Sequence, residues 1–231
     1  MNKDIVVFSC IFGNYDTLKE PLYVNTGVSF VLFTDNPNIK SNTWKIILVD
    51  LKYLGGDPQR VARRIKTNPH LFLQKNHKIS VWVDSNYHIR IRDIKNFCNL
   101  SLTNNDVAMY KHPRRNCLYK EIDTCINSKL DKPEILLAQK NKYLKVKFPC
   151  ENGLYHTAVV IRRNNTKVNK INEEWWEEIK RFSRRDQISL PYIFWRNGIV
   201  PNIVPSEFGE TLYRTDYFFR FKHNRQRTRY E

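Results

Sequence analysis

Ile5-Val6-Val7-Phe8-Ser9-Cys10-Ile11-Phe12 is an almost unbroken apolar run of strand length that stops at Gly13-Asn14. A strand with one wet face alternates apolar and polar residues. A run this continuous reads as a strand covered on both faces of a parallel sheet, which commits the chain to a layered α/β fold. Two further segments follow in kind: Ser29-Phe30-Val31-Leu32-Phe33-Thr34-Asp35, ended by Asn36-Pro37, and Trp44 to Val49 after a Ser-Asn-Thr turn. Between Pro58 and Leu73 the period becomes helical, with Val61 and Ile65 on one face and Arg60, Arg63, Arg64 and Lys66 around it. Ile79 to Val83 reads as a fourth strand, ending in Asp84-Ser85-Asn86. The expected architecture is a single Rossmann-like α/β domain with a central mixed, mostly parallel sheet flanked by helices.

In the second half, Asn172 reads as the cap of a helix with Glu173 and Glu174 in its first turn. Trp175, Trp176 and Ile179 form its apolar stripe, and Ser183 breaks it. Another helix is expected from about Arg185 to Trp195, stopping at Asn197-Gly198. Residues 1–212 are read as the domain and 213–231 as a basic, aromatic tail. That tail interleaves Tyr217, Phe218, Phe219 and Phe221 with Arg214, Arg220, Lys222, Arg225, Arg227 and Arg229.

A chain of 231 residues with 41% hydrophobic content can bury one sizeable core. No stretch approaches the roughly 20 apolar residues of a membrane span. The five cysteines are odd in number and lack CxxC spacing, so reduced thiols in a soluble cytoplasmic protein are expected. With 39 Lys+Arg against 23 Asp+Glu, the net charge of +16 calls for an anionic partner: a nucleotide diphosphate, an acidic glycan, a phospholipid surface or nucleic acid. Zinc-finger spacing, RNP-like aromatics and basic heptads are all lacking, so nucleic acid is not the expected partner.

In an open α/β sheet the ligand crevice lies outside the carboxyl ends of the strands. Three groups of residues stand out near those ends. Asp84 and Asn86 offer hard oxygen ligands two residues apart, suited to Mg²⁺ or Mn²⁺; the same residues also suit a turn or a helix cap. Arg60, Arg63 and Lys66, spaced by three, share one side of a helix and can reach phosphate oxygens, although a solvated basic face has the same pattern. Asp186 and Gln187 open a helix where its dipole favours an acid, and they are also placed to face a reacting sugar carbon.

An ordered set of motifs links these groups. It comprises Ile11-Phe12-Gly13-Asn14-Tyr15-Asp16, Phe33-Thr34-Asp35, Ala62-Arg63-Arg64-Ile65-Lys66 with Pro69-His70, and Trp82-Val83-Asp84-Ser85-Asn86. His112-Pro113-Arg114 with Cys117, Tyr119 and Glu121, Gly153-Leu154-Tyr155, Trp175-Trp176 and Arg185-Asp186-Gln187 complete it. From about Ile5 to Tyr192 the sequence resembles a glycosyltransferase-like family whose plant members are Golgi proteins of cell-wall and mucilage polysaccharide synthesis and whose bacterial members belong to polysaccharide loci.

The resemblance implies a GT-A fold related to the family-eight glycosyltransferases, with a nucleotide-sugar donor and a glycan or lipid-linked glycan acceptor. Asp84 and Asn86 stand where the acidic metal motif is usual, and His223 is the counterpart of the C-terminal metal histidine. Having Asn86 in place of a second carboxylate removes one negative charge, so Arg63 and Lys66 are expected to share in neutralising the diphosphate. The loop Phe12, Gly13, Asn14 and Tyr15 would receive the base, Asp35 the base or ribose, and Ser85 the donor. His112, Arg114, Tyr155 and His156 would contact acceptor or diphosphate. Asp186 would act as general base in an inverting enzyme, or with Gln187 orient the reactants in a retaining one; the stereochemistry stays open. A non-catalytic glycan- or nucleotide-binding module is the alternative. The tail raises the further expectation of attachment to an anionic inner membrane face, against the equal alternative that its aromatics pack on the domain.

Overall fold

In the computed structural model, which describes residues 3–224, seven strands form one sheet in the order β3-β2-β1-β4-β7-β6-β8. Strands β1 (Ile5–Ile11), β2 (Val28–Thr34), β3 (Lys45–Leu48) and β4 (Ile79–Val83) run parallel. The direction then reverses. β7 (Tyr155–Arg163) lies antiparallel between β4 and β6 (Val107–Lys111), while β8 (Asn202–Ile203) closes the edge parallel to β6. This is the expected mixed, mostly parallel α/β sheet. Every residue of β1 is buried, and its side chains divide between two cores. Val6 and Phe8 pack on one side of the sheet, Ile5 and Val7 on the other, which is why the run shows no alternation.

Helices α1 (Pro58–Thr67), α3 (Leu118–Asn127), α4 (Pro133–Lys145), α5 (Thr166–Arg181) and α6 (Asp186–Arg196) contribute to the first core, and α2 (Ile94–Ser101) to the second. Asp57 starts α1 by accepting the backbone N–H groups of Gln59 and Arg60, with Pro58 in the first turn. The expected helix to Leu73 ends instead at Thr67, because Asn68-Pro69 breaks it into a separate 3-10 turn at Pro69–Leu71. The cap of helix α5 lies seven residues before the expected one. Asn165 accepts the Val168 N–H, and Asn172 lies inside the helix, buried.

Beyond the sheet, β5 (Tyr87–Ile89) pairs antiparallel with β9 (Phe218–Arg220). Phe218 is buried in edge-to-face contact with Phe97 and Tyr110, so this part of the tail packs on the domain, while Phe219 and Phe221 stay exposed. Arg225, Arg227 and Arg229 lie outside the described residues. Among the described residues no helix is long and apolar enough to cross a membrane.

Candidate active site

Strand β4 delivers Asp84 to the carboxyl edge of the sheet, where its amide N–H donates to the Ala158 carbonyl of β7 at 2.8 Å. One carboxylate oxygen, Oδ1, accepts the indole N–H of Trp82 at 2.6 Å and lies 3.4 Å from Nζ of Lys66. Lys66 comes from the last turn of α1 and is fully buried. Its ammonium also lies 2.5 Å from Oδ2 of Asp186, the first residue of α6, and Arg63 Nε is 3.3 Å from that same oxygen. Thr157 of β7 donates to the other Asp186 oxygen at 3.2 Å. Four elements therefore meet on two carboxylates and two cations.

Burial alone would push both carboxyls up. Lys66 and then Arg63 outweigh it at Asp84, Arg63 and then Lys66 at Asp186, so both groups are held below the usual carboxylate range and stay ionised. The Lys66 carbonyl is fixed in turn by Arg162 of β7, which donates to it at 2.9 Å and to Asn172 at 3.1 Å. Burial without an acidic partner lowers the Arg162 guanidinium to about 9.

A cavity of about 600 Å³ opens beside this cluster. Phe12, Gly13 and Tyr15 from the loop after β1 line it, with Arg63, Asp84, Ser85 and, from the segment before α6, Arg184 and Arg185. The loop conformation follows from its sequence: Gly13 and Asn14 both have positive φ, 59° and 52°, which Gly and Asn tolerate best. Asp35 holds the turn by accepting the Gly13 N–H through both carboxylate oxygens, at 3.0 and 3.1 Å. Gly13 is required here by backbone conformation more than by crowding, since an added Cβ would meet only Pro58 at 4.0 Å.

Several residues read from the sequence sit elsewhere. Arg60 turns away from the cavity and donates to the carbonyls of Ile179 and Phe182 at the end of α5. Asn14 pairs with Asn36 on the surface. Gln187 is buried and donates to Glu121, which also binds Arg115 at 2.6 Å. His112 and Arg114 line a separate pocket with Arg115, and His156 lies beside it, its ring centroid 6.4 Å from that of His112. Tyr155 is half-buried and packs edge-on against Phe194.

Of the expected metal ligands, Asp84 and His223 both border the cavity. Asn86 is buried and spends its amide N–H on the Phe221 carbonyl at 3.1 Å. His223 reaches the cavity rim, but its Nδ1 faces Asp16 at 2.9 Å, and Ser85 donates to the same carboxylate at 2.5 Å. Among the described residues no group of three or more His, Cys, Asp or Glu side chains is spaced to hold a metal ion.

Asp16, Glu121, Trp82, Arg184 and Arg185 were not assigned roles from the sequence, and for the arginine pair a signal existed. Two cations directly before a helix N-terminus oppose its dipole, and such breaches of local preference concentrate at functional sites. Arg185 is consistent with that rule: its Nε is buried and lacks a hydrogen-bond partner among the described residues.

"Alkaline ceramidase TOD1" of Arabidopsis thaliana is 22% identical over 254 residues, an alignment covering 95% of this chain and 54% of that protein. The chain thus spans about half the length of that relative. The model of the TOD1/MUCI70 glycosyltransferase-like domain matches residues 1–215, nearly the whole chain, and on that match the chain belongs to the TOD1/MUCI70 glycosyltransferase-like domain family.

Proposed function

We propose that the chain is a GT-A-type glycosyltransferase that binds a nucleotide-sugar in the cavity of about 600 Å³ and moves the sugar to a glycan acceptor. The observation that carries this reading is the convergence of Asp84, Lys66, Arg63 and Asp186 beside a cavity whose wall also holds Arg184 and Arg185. Transfer breaks the bond between the anomeric carbon and the diphosphate oxygen, and the electron pair leaves with the diphosphate. Cations fixed before the reaction begins stabilise that developing charge without reorganising. Arg63 and the arginine pair supply them at the cavity surface; Lys66, sealed beneath, keeps Asp84 ionised and oriented. Asp84 Oδ2 makes no hydrogen bond among the described residues and is free to accept one from a donor hydroxyl.

Asp186 is a positioning residue in this scheme. Both its oxygens are occupied by Thr157, Lys66 and Arg63, and its lowered pKa makes it a poor proton acceptor. Of the three expected ligands only Asp84 and His223 border the cavity, so a divalent ion would be held largely by the donor diphosphate, and Mn²⁺ titrated into the nucleotide-free protein is expected to give no saturable heat.

The test is release of nucleoside diphosphate from a panel of nucleotide-sugars, with and without glycan acceptors. Arg63→Ala and Asp84→Ala are each expected to lower turnover about 100-fold or more with the circular dichroism unchanged. Full activity in Asp84→Ala, or no donor bound from the whole panel, overturns the assignment. The relative's name makes lipid amide hydrolysis the second reading; fatty acid released from ceramide, with no donor turned over, would replace transfer by hydrolysis.

A further inference from the structure

A second pocket, of about 470 Å³, is lined by His112, Pro113, Arg114, Arg115, Tyr213 and Arg220. Its position follows from strand register. A bulge between Met109 and Tyr110 shifts the β6–β7 pairing so that His156 stands opposite Tyr110, and β9 places Arg220 opposite Tyr87. His156 packs on both His112 and Tyr213 of this pocket and lies within electrostatic reach of Asp84, Lys66 and Asp186, so the pocket adjoins the proposed reaction centre. A second link runs from the half-buried Arg115 through the buried Glu121 to Gln187, the residue after Asp186.

The charge is unbalanced. Arg115 is neutralised by Glu121 at 2.6 Å, but neither Arg114 nor Arg220 is ion-paired with a carboxylate among the described residues. Arg220 lies over the Tyr213 ring at 5.3 Å, which holds its guanidinium against the pocket wall. The two histidines add donors without adding charge. Burial lowers both to about 4, so they are neutral at pH 7. His112 accepts the Arg115 N–H on Nδ1 at 2.9 Å, which leaves Nε2 as the protonated nitrogen. Among the described residues the buried Nδ1 of His156 and the Oη of Tyr87 have no hydrogen-bond partner, and their rings lie 6.3 Å apart. Guanidinium groups converging without counter-ions repel one another, and an anion seated between them removes that cost.

We propose that this pocket is the acceptor subsite and that it selects an acceptor carrying a carboxylate or a phosphate. The proposal rests on the glycosyltransferase reading for the word acceptor, but not for anion binding itself. Such an anion takes charge-assisted hydrogen bonds from Arg114 and Arg220.

Calorimetry on the full chain tests it with three probes: trigalacturonate, its methyl ester, and dodecyl phosphate. At least one charged probe is expected to bind, about tenfold or more tightly than the neutral ester. Trigalacturonate alone binding identifies a carboxylate source, dodecyl phosphate alone a phosphate source. Arg114→Ala and Arg220→Ala change exposed side chains and are expected to weaken that binding about tenfold each, with nucleoside diphosphate binding at the other cavity unchanged. Arg63→Ala is expected to do the reverse. Equal binding of charged and esterified probes, wild-type affinity in both arginine variants, or no binding of either charged probe overturns the subsite. Loss of nucleotide binding alone, with the charged probe still held by Arg114 and Arg220, defeats the donor assignment and leaves the anion pocket standing.

Discussion

Lys66 is the residue on which the site turns, because a buried ammonium is tolerated only while carboxylates face it. Asp186 is nearer, at 2.5 Å, and Asp84 follows at 3.4 Å. Asp186→Asn removes one of these charges from a buried position and is expected to cost about 3 kcal/mol in urea denaturation. Its pH signature is specific. The folded carboxyl titrates below the usual range, so the unfolded chain binds the proton first as pH falls through about 4, and stability present above that pH is lost below it. The acid limb of a melting-temperature profile is expected to be shallower in the Asn variant than in the wild type; an unchanged limb shows that the pair does not control acid stability. The histidines act in a different window. Those at positions 112 and 156 have folded values near 4, so the unfolded chain takes up their protons first and stability falls between about pH 6.5 and 4. His156→Gln is expected to flatten that segment, as followed by the same melting series.

At the scale of elements, legibility in the sequence tracked how much of a segment lies in the sheet centre. β1, β2 and β4 are buried along nearly their whole length and showed as apolar runs, while α1 was found by its apolar period and α6 by its stop at Asn197-Gly198. β7 went unread, although it is the longest strand. It carries His156, Thr157 and Arg162 among its apolar residues, because its first residues line the site and its last ones anchor helices. The helix after it was read seven residues late for a related reason: Asn172, which looks like a cap, is an interior ligand of Arg162. The two asparagines are therefore expected to differ. Asn165→Ala loses a helix cap, about 1 kcal/mol, whereas Asn172→Ala leaves the buried guanidinium short of an acceptor, about 2 kcal/mol. Chemical denaturation of both variants orders them, and the reverse order refutes the structural role given to Arg162. The site was partly legible: Asp84, Arg63 and Lys66 do converge, but the distribution of Asn86, Arg60 and Gln187 to other tasks depends on side-chain directions that spacing does not encode.

For the whole molecule, the C-terminal segment closes the proposed donor cavity from outside the main sheet. Phe218 is buried on Phe97 and Tyr110, Phe221 is tied to Asn86 in both backbone and side chain, and His223 reaches Asp16. A chain ending at Tyr217 is expected to lose roughly 2 kcal/mol from the Phe218 side chain alone. It is also expected to bind nucleoside diphosphate more weakly, measured by calorimetry below the melting transition; unaltered affinity would show that the segment serves stability only.

The cavity is bordered by Phe12 near one terminus and His223 near the other. During synthesis, therefore, a growing polypeptide can complete its first parallel strands long before it owns a working pocket. Ligand capture at full affinity becomes available only when the segment through His223 has emerged and docked against Asp16.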